Sequence, residues 1–77
     1  MTTKAYVLLT VEPTKTKTVI KALQNKNGVK SANLLLGRYD AILQVEGKTQ
    51  TEINENILGT IRNIDGIRNT ETLVIHE

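Results

Sequence analysis

The stretch Asn27-Gly28-Val29-Lys30 recurs 38 residues later as Asp65-Gly66-Ile67-Arg68. In each copy a turn residue and a glycine precede an aliphatic residue and a cation. Asn-Gly and Asp-Gly stop a helix, the glycine supplying its left-handed cap, and the β-branched residue that follows opens a strand. The residues upstream repeat with the same offset. Val19, Ile20 and Leu23 align with Ile57, Leu58 and Ile61, and Val7 aligns with Val45. The chain therefore reads as two copies of one strand-helix-strand unit.

Working outward, Tyr6 to Val11 is β-branched and aliphatic and reads as the first strand. Ala5, Val7, Leu9 and Val11 share one face, with Tyr6, Leu8 and Thr10 on the other. Pro13 ends this strand and suits a helix entry, so the first helix is expected from Thr14 to Lys26. Val29 to Leu36 reads as the second strand, Gly37-Arg38 as a tight turn, and Tyr39 to Glu46 as the third strand. Thr49-Gln50-Thr51-Glu52 is a capping box, in which hydroxyl and carboxylate satisfy free helix N–H groups reciprocally. The helix after it carries an Ile53, Ile57, Ile61 and Ile64 stripe with Leu58 beside it, and Ile67 to Ile75 reads as the last strand.

The order β-α-β-β-α-β, with right-handed crossovers, predicts an α+β ferredoxin-like sandwich: a four-stranded antiparallel sheet with two helices on one face. At 77 residues the chain is expected to be a single domain over residues 1–77. Leu, Ile and Val number 9, 8 and 6, enough aliphatic side chains for a small packed core. The other sheet face would then expose Tyr6, Leu8 and Ile42, and such an apolar face suits a two-fold dimer of like chains.

Composition removes whole classes of function. There is no Cys, Phe or Trp. Thiolate chemistry and Cys-based metal sites are excluded, and no aromatic lies in the third-strand run Ala41 to Val45 to stack an RNA base. Metal and cofactor are expected to be none. One histidine, His76, and one serine, Ser31, make a nucleophile-base pair improbable, and Asp40 and Glu46 stand too far apart along one strand to act as a dyad. No catalytic residue is expected, and the chain reads as a non-enzyme. Lys15, Lys17, Lys21, Lys26 and Lys30 gather around the first helix, yet the net charge is only +2, so a solvated helix face is the reading preferred over a phosphate patch. The longest apolar run, Leu34-Leu35-Leu36, is far short of a membrane span, and no apolar leader follows Met1. A cytoplasmic chain without membrane contact is the expectation.

One short constellation carries binding chemistry: Gly37-Arg38-Tyr39-Asp40, between the second and third strands. Free turn N–H groups or the guanidinium would take a carboxylate, and the Asp carboxylate would take an ammonium, so the turn could hold a zwitterion. A plain hairpin turn is the competing reading. Thr70 and Thr72 lie on one face of the last strand and offer hydroxyls, although β-propensity explains them as well.

The Gly37-Arg38-Tyr39-Asp40 turn before an apolar strand, the helix ending Ile64-Asp65-Gly66-Ile67, and the closing Thr70-Glu71-Thr72-Leu73-Val74-Ile75 together resemble the effector-binding RAM domain of the leucine-responsive regulator/AsnC (Lrp/AsnC) family. The resemblance covers essentially the whole chain. It implies dimers paired through their sheets, associating into octamer or decamer rings. It further implies small-molecule effectors, usually amino acids, in clefts between dimers, lined here by Gly37, Arg38, Tyr39, Asp40, Thr70 and Thr72. Family regulators carry a helix-turn-helix, for which the residues before the first strand leave no room, so a stand-alone domain without direct DNA binding is expected. On this reading the protein is an amino-acid-binding regulatory domain acting through oligomer assembly. The alternative is an assembly-only module that co-oligomerises with a full-length family member. An ACT domain shares the strand order but fits the turn less well.

Overall fold

The structure is a computed structural model and describes residues 2–75. Strand β1 (Thr3–Val11) leads through a 3₁₀ turn (Pro13–Lys15) into helix α1 (Thr16–Gln24). Strands β2 (Val29–Leu34) and β3 (Ala41–Gly47) follow. Helix α2 spans residues 50–62, and β4 (Ile67–Val74) completes the fold. The sheet is four-stranded, in the order β2-β3-β1-β4, and every pairing is antiparallel. This is the ferredoxin-like α+β sandwich that the repeat predicts. No helix among the described residues is long and apolar enough to cross a membrane.

The core follows the period-two alternation of the two central strands. Ala5, Val7 and Leu9 lie opposite Val45, Leu43 and Ala41, and all six are fully buried. The helices close this face with Val19 and Leu23 from α1 and Ile53, Ile57, Leu58 and Ile61 from α2. Each such side chain contributes roughly 1.5–3 kcal/mol on leaving water, which explains why the aliphatic content sufficed. No polar or charged residue among those described is buried in this core.

Several boundaries differ from the sequence reading. β1 begins three residues earlier than expected, because Thr3 and Lys4 pair with Gly47 and Glu46. The first helix starts as a 3₁₀ turn at Pro13 and ends before Asn25, whose amide donates back to the Lys21 carbonyl. The expected capping box at α2 forms in part: Glu52 N–H donates to Thr49 Oγ1, but Glu52 Oε2 accepts from the Lys48 N–H, one residue before the cap. Inside α2, however, Ile53–Ile57 forms a π turn flanked by α segments Gln50–Glu52 and Leu58–Arg62. A π turn holds more residues per turn than an α turn, so residues four apart drift less around the axis. Ile53, Ile57 and Ile61 accordingly keep one bearing on the core. The tight two-residue hairpin expected at Gly37-Arg38 is instead a six-residue loop over residues 35–40, closed by Leu35 N–H donating to the Asp40 carbonyl. β4 ends at Val74, and His76 lies outside the described residues.

The two repeat glycines have matching duties. Gly28 (φ 88°) and Gly66 (φ 104°) both occupy the left-handed region after a helix. A Cβ on Gly28 would stand 2.5 Å from Ile57 Cδ1, and one on Gly66 would stand 3.0 Å from Val19 Cγ2. Val19 and Ile57 are themselves repeat partners, so the same close approach of loop to opposing helix occurs twice. Gly28→Ala combines a left-handed alanine with a clash against a buried isoleucine and should cost about 2 kcal/mol or more. Chemical denaturation of wild type and variant checks this through the transition midpoint.

Candidate functional site

The register decides what each predicted site residue can reach. Tyr6 lies opposite Gln44 and Leu73, and Leu8 lies opposite Ile42 and Glu71. These residues alternate with the core positions, so they occupy the sheet face that the helices leave open. Tyr6 and Leu73 are exposed, while Leu8 and Ile42 are half-buried. The open face is thus an apolar block of Tyr6, Leu8, Ile42 and Leu73, flanked by polar Gln44, Asn33 and Glu71.

Two of the three turn side chains are engaged by the chain's own atoms. Asp40 N–H donates to the Leu9 carbonyl, and Val11 N–H donates to Asp40 Oδ2 at 2.7 Å. The carboxylate thereby takes the place of a strand carbonyl where β3 has not yet begun. A backbone N–H bonded to a charged acceptor is worth about 1.5–3 kcal/mol, and here it pins the loop to the end of β1. A carboxylate has two oxygens, and Asp40 Oδ1 remains for another donor. The Tyr39 hydroxyl donates to Glu71 Oε2 on the open face. Arg38 is exposed and forms no ion pair among the described residues.

Thr70 and Thr72 lie opposite Leu9 and Val7, on the helix side of β4. Glu71 between them takes the open side. The turn and the two threonines are therefore separated by β1, and the Tyr39 phenol lies on the face opposite the Thr70 and Thr72 side chains. Thr70 instead joins Arg62, Ile67, Arg68 and Asn69 around a depression of about 300 Å³. These arginines were missed because Arg62 comes from a helix end and Arg68 from β4, and only the crossover brings them together. Glu71 was legible in principle, since strand alternation places it across from Thr70 and Thr72. Among the described residues no group of three or more His, Asp or Glu gathers as a metal site would.

Residues 4–77 match the family described as the Lrp/AsnC ligand binding domain. A curated relative, an uncharacterized HTH-type transcriptional regulator of Pyrococcus furiosus, is 32% identical over 71 residues, covering 92% of this chain and 48% of the relative. The chain spans about half the length of the curated relatives it matches. Among solved structures, a hypothetical protein from Pyrococcus horikoshii superposes with a TM-score of 0.88 at 28% identity, covering 100% of this chain and 92% of that one. A Neisseria meningitidis transcriptional regulator, solved as its L-Met complex, shares the fold with a TM-score of 0.84 at 16% identity, covering 97% of this chain and 50% of that one.

The hydrogen bond to Glu71, aided by the nearby negative charge, holds the Tyr39 phenol above the usual tyrosine range. A folded-state value raised in this way means that the bond stabilises the fold at neutral pH. That contribution is lost as the pH rises through the phenol's ionisation. In Glu71→Gln the phenol should ionise at lower pH, and an ultraviolet titration of tyrosinate absorbance checks it.

Proposed function

The chain belongs to the Lrp/AsnC ligand-binding domain family, and from that premise we propose that it is an amino-acid-sensing regulatory domain that works as an assembly of like chains. The observation that carries this reading is the division of its candidate ligand groups between two sheet faces. Arg38, Tyr39 and Asp40 lie at the turn, while Thr70 and Thr72 face the helix side. One chain cannot close both sets around one small molecule, but two copies can. A ligand held between copies stabilises whichever assembly completes its site. In such a cleft Asp40 Oδ1 accepts from the ligand ammonium, Arg38 takes its carboxylate, and the threonine hydroxyls of another copy finish the enclosure. The L-Met complex of the Neisseria regulator supports an amino acid as the ligand class.

The dimer contact of this proposal is the open face, centred on Tyr6, Leu8 and Ile42. The long extents of the molecule, 38 and 22 Å, bound that face to the scale of about 800 Å² per partner that stable interfaces bury. Dimers would then associate into octamer or decamer rings, and a full-length family regulator could enter the same contacts. The role is regulatory and not enzymatic, with no cofactor required.

Melting of the chain with each of the twenty amino acids at millimolar concentration tests the ligand reading. A ligand at a hundred times its dissociation constant adds about 2.7 kcal/mol, a readily visible shift in so short a chain. Asp40→Asn keeps an oxygen for Val11 N–H but removes the charge, so it should preserve the fold while weakening ligand binding by about 2 kcal/mol. An unchanged affinity in this variant refutes the role of Asp40. Indifference to every amino acid, with assembly intact, would leave the assembly-only module as the correct reading.

The dimer contact has its own test. Leu8→Lys and Ile42→Lys place charges on facing positions of the open face. Sedimentation should show the wild type as dimers or larger and either variant as monomer, whereas a monomeric wild type at micromolar concentration overturns the contact.

A further inference from the structure

At the end of β3 remote from the Gly37–Asp40 turn, a pocket of about 430 Å³ opens between the C-terminal end of α1 and the flank of α2. Its lining comes from residues 25–28 and 46 on one side and Glu52, Asn56, Ile57 and Thr60 on the other. The π turn over Ile53–Ile57 brings Glu52, Asn56 and Thr60, each four residues apart, close to one line along the helix. The volume lies within the ordinary range of small-molecule pockets.

The lining is polar and apolar in similar measure, and its side chains bring one charge of each sign. Glu46 pairs opposite Lys4 on the open face, where its carboxylate meets Lys4 and Lys30 at 4.0 and 3.8 Å. What it gives the pocket is main chain, its carbonyl oxygen lying 3.3 Å from the position a Gly28 Cβ would take. The charged side chains of the lining are then Lys26 and Glu52. Glu52 uses Oε2 for the Lys48 N–H and keeps Oε1. The side-chain amides of Asn27 and Asn56 have no hydrogen-bond partner among the described residues. No aromatic residue lines the pocket, so a base or a quaternary ammonium finds no face to stack on.

The internal repeat shows what a filled counterpart contains. At the repeat-related place, beside Gly66 and Val19, Lys15 lies across the groove with its Cβ 3.0 Å from the position of a Gly66 Cβ. Its ammonium donates to Asp65 at 2.6 Å and stands 3.7 Å from Glu12. In the second copy the residue aligned with Lys15 is Ile53, which is fully buried, and the residue aligned with Asp65 is Asn27. One half of the molecule fills this groove with its own ammonium, and the other half leaves it open.

We propose that this open groove binds a compact zwitterion, a small amino acid with a short polar side chain. Its ammonium is accepted by Glu52 and the Glu46 carbonyl. Its carboxylate meets Lys26, and the Asn27, Asn56 and Thr60 groups hold the remainder. This site is separate from the turn and does not depend on the effector reading given above.

Nuclear magnetic resonance of the nitrogen-15-labelled chain, titrated with L-serine, tests it. Ethanolamine and acetate serve as probes for the two halves of the ligand. Saturable shifts are expected at the backbone amides of residues 25–28 and 52–60, with ethanolamine and acetate each far weaker than serine. Glu52→Gln retains the capping geometry, since glutamine serves in a capping box, and should weaken serine binding about tenfold or more, a loss of about 1.4 kcal/mol. Asp40→Asn should leave binding at this pocket unchanged. Shifts confined to residues 37–40 and 70–72 overturn this pocket while upholding the turn. Non-saturating shifts, or a Glu52→Gln variant that binds serine as the wild type does, also overturn it.

Discussion

β1 is paired along both of its edges, to β3 on one side and β4 on the other, and the remaining structure depends on that constraint. A strand with two neighbours cannot slip without moving both. A slip of one residue would turn Ala5, Val7, Leu9 and Val11 outward and bring Tyr6, Leu8 and Thr10 beneath the helices. The register therefore assigns every side chain of the sheet at once. It gives four aliphatic positions to the core, an apolar block to the open face, and the helix side to Thr70 and Thr72. The Asp40 carboxylate extends the same constraint past the end of β3, by bonding a β1 N–H that no strand carbonyl reaches.

The fold was legible because its signals are local and periodic. The alternation in β1 and β3, the capping box at Thr49 and Glu52, and the glycines after each helix all sit within a few residues of what they control. The loop over residues 35–40 was not legible, because its shape is set by contacts from afar. Val11 bonds Asp40 across 29 positions, and Tyr39 bonds Glu71 across 32. A two-residue hairpin was a fair reading of Gly37-Arg38 until those partners were known. The π turn escaped for another reason. Isoleucines four apart suit an α-helix and a π turn alike.

The candidate site was legible as residue types and only in part as an arrangement. Arg38, Tyr39 and Asp40 do cluster at one turn, and Thr70 and Thr72 do share a face. What the sequence could not supply is that β1 stands between the two groups, or that Tyr39 and Asp40 already have partners within the chain. Side chains that bind a ligand and hold a loop at the same time couple the two tasks. A ligand drawing on Asp40 acts on the anchor of the loop that presents it.

The strand order has a consequence for how the chain becomes folded. Each repeat unit contributes two strands that never touch one another, since β3 lies between β1 and β2, and β1 lies between β3 and β4. Neither half can assemble its own sheet. The nearest pairing open to β1 joins Leu9 and Ala41, so it must wait until more than half of the chain is present. Such long-range pairing makes for high contact order, and hence for folding slower than that of a helical bundle of this length. The duplication that is plain in the sequence is thus interlocked in the structure, and the unit that folds is the interleaved pair.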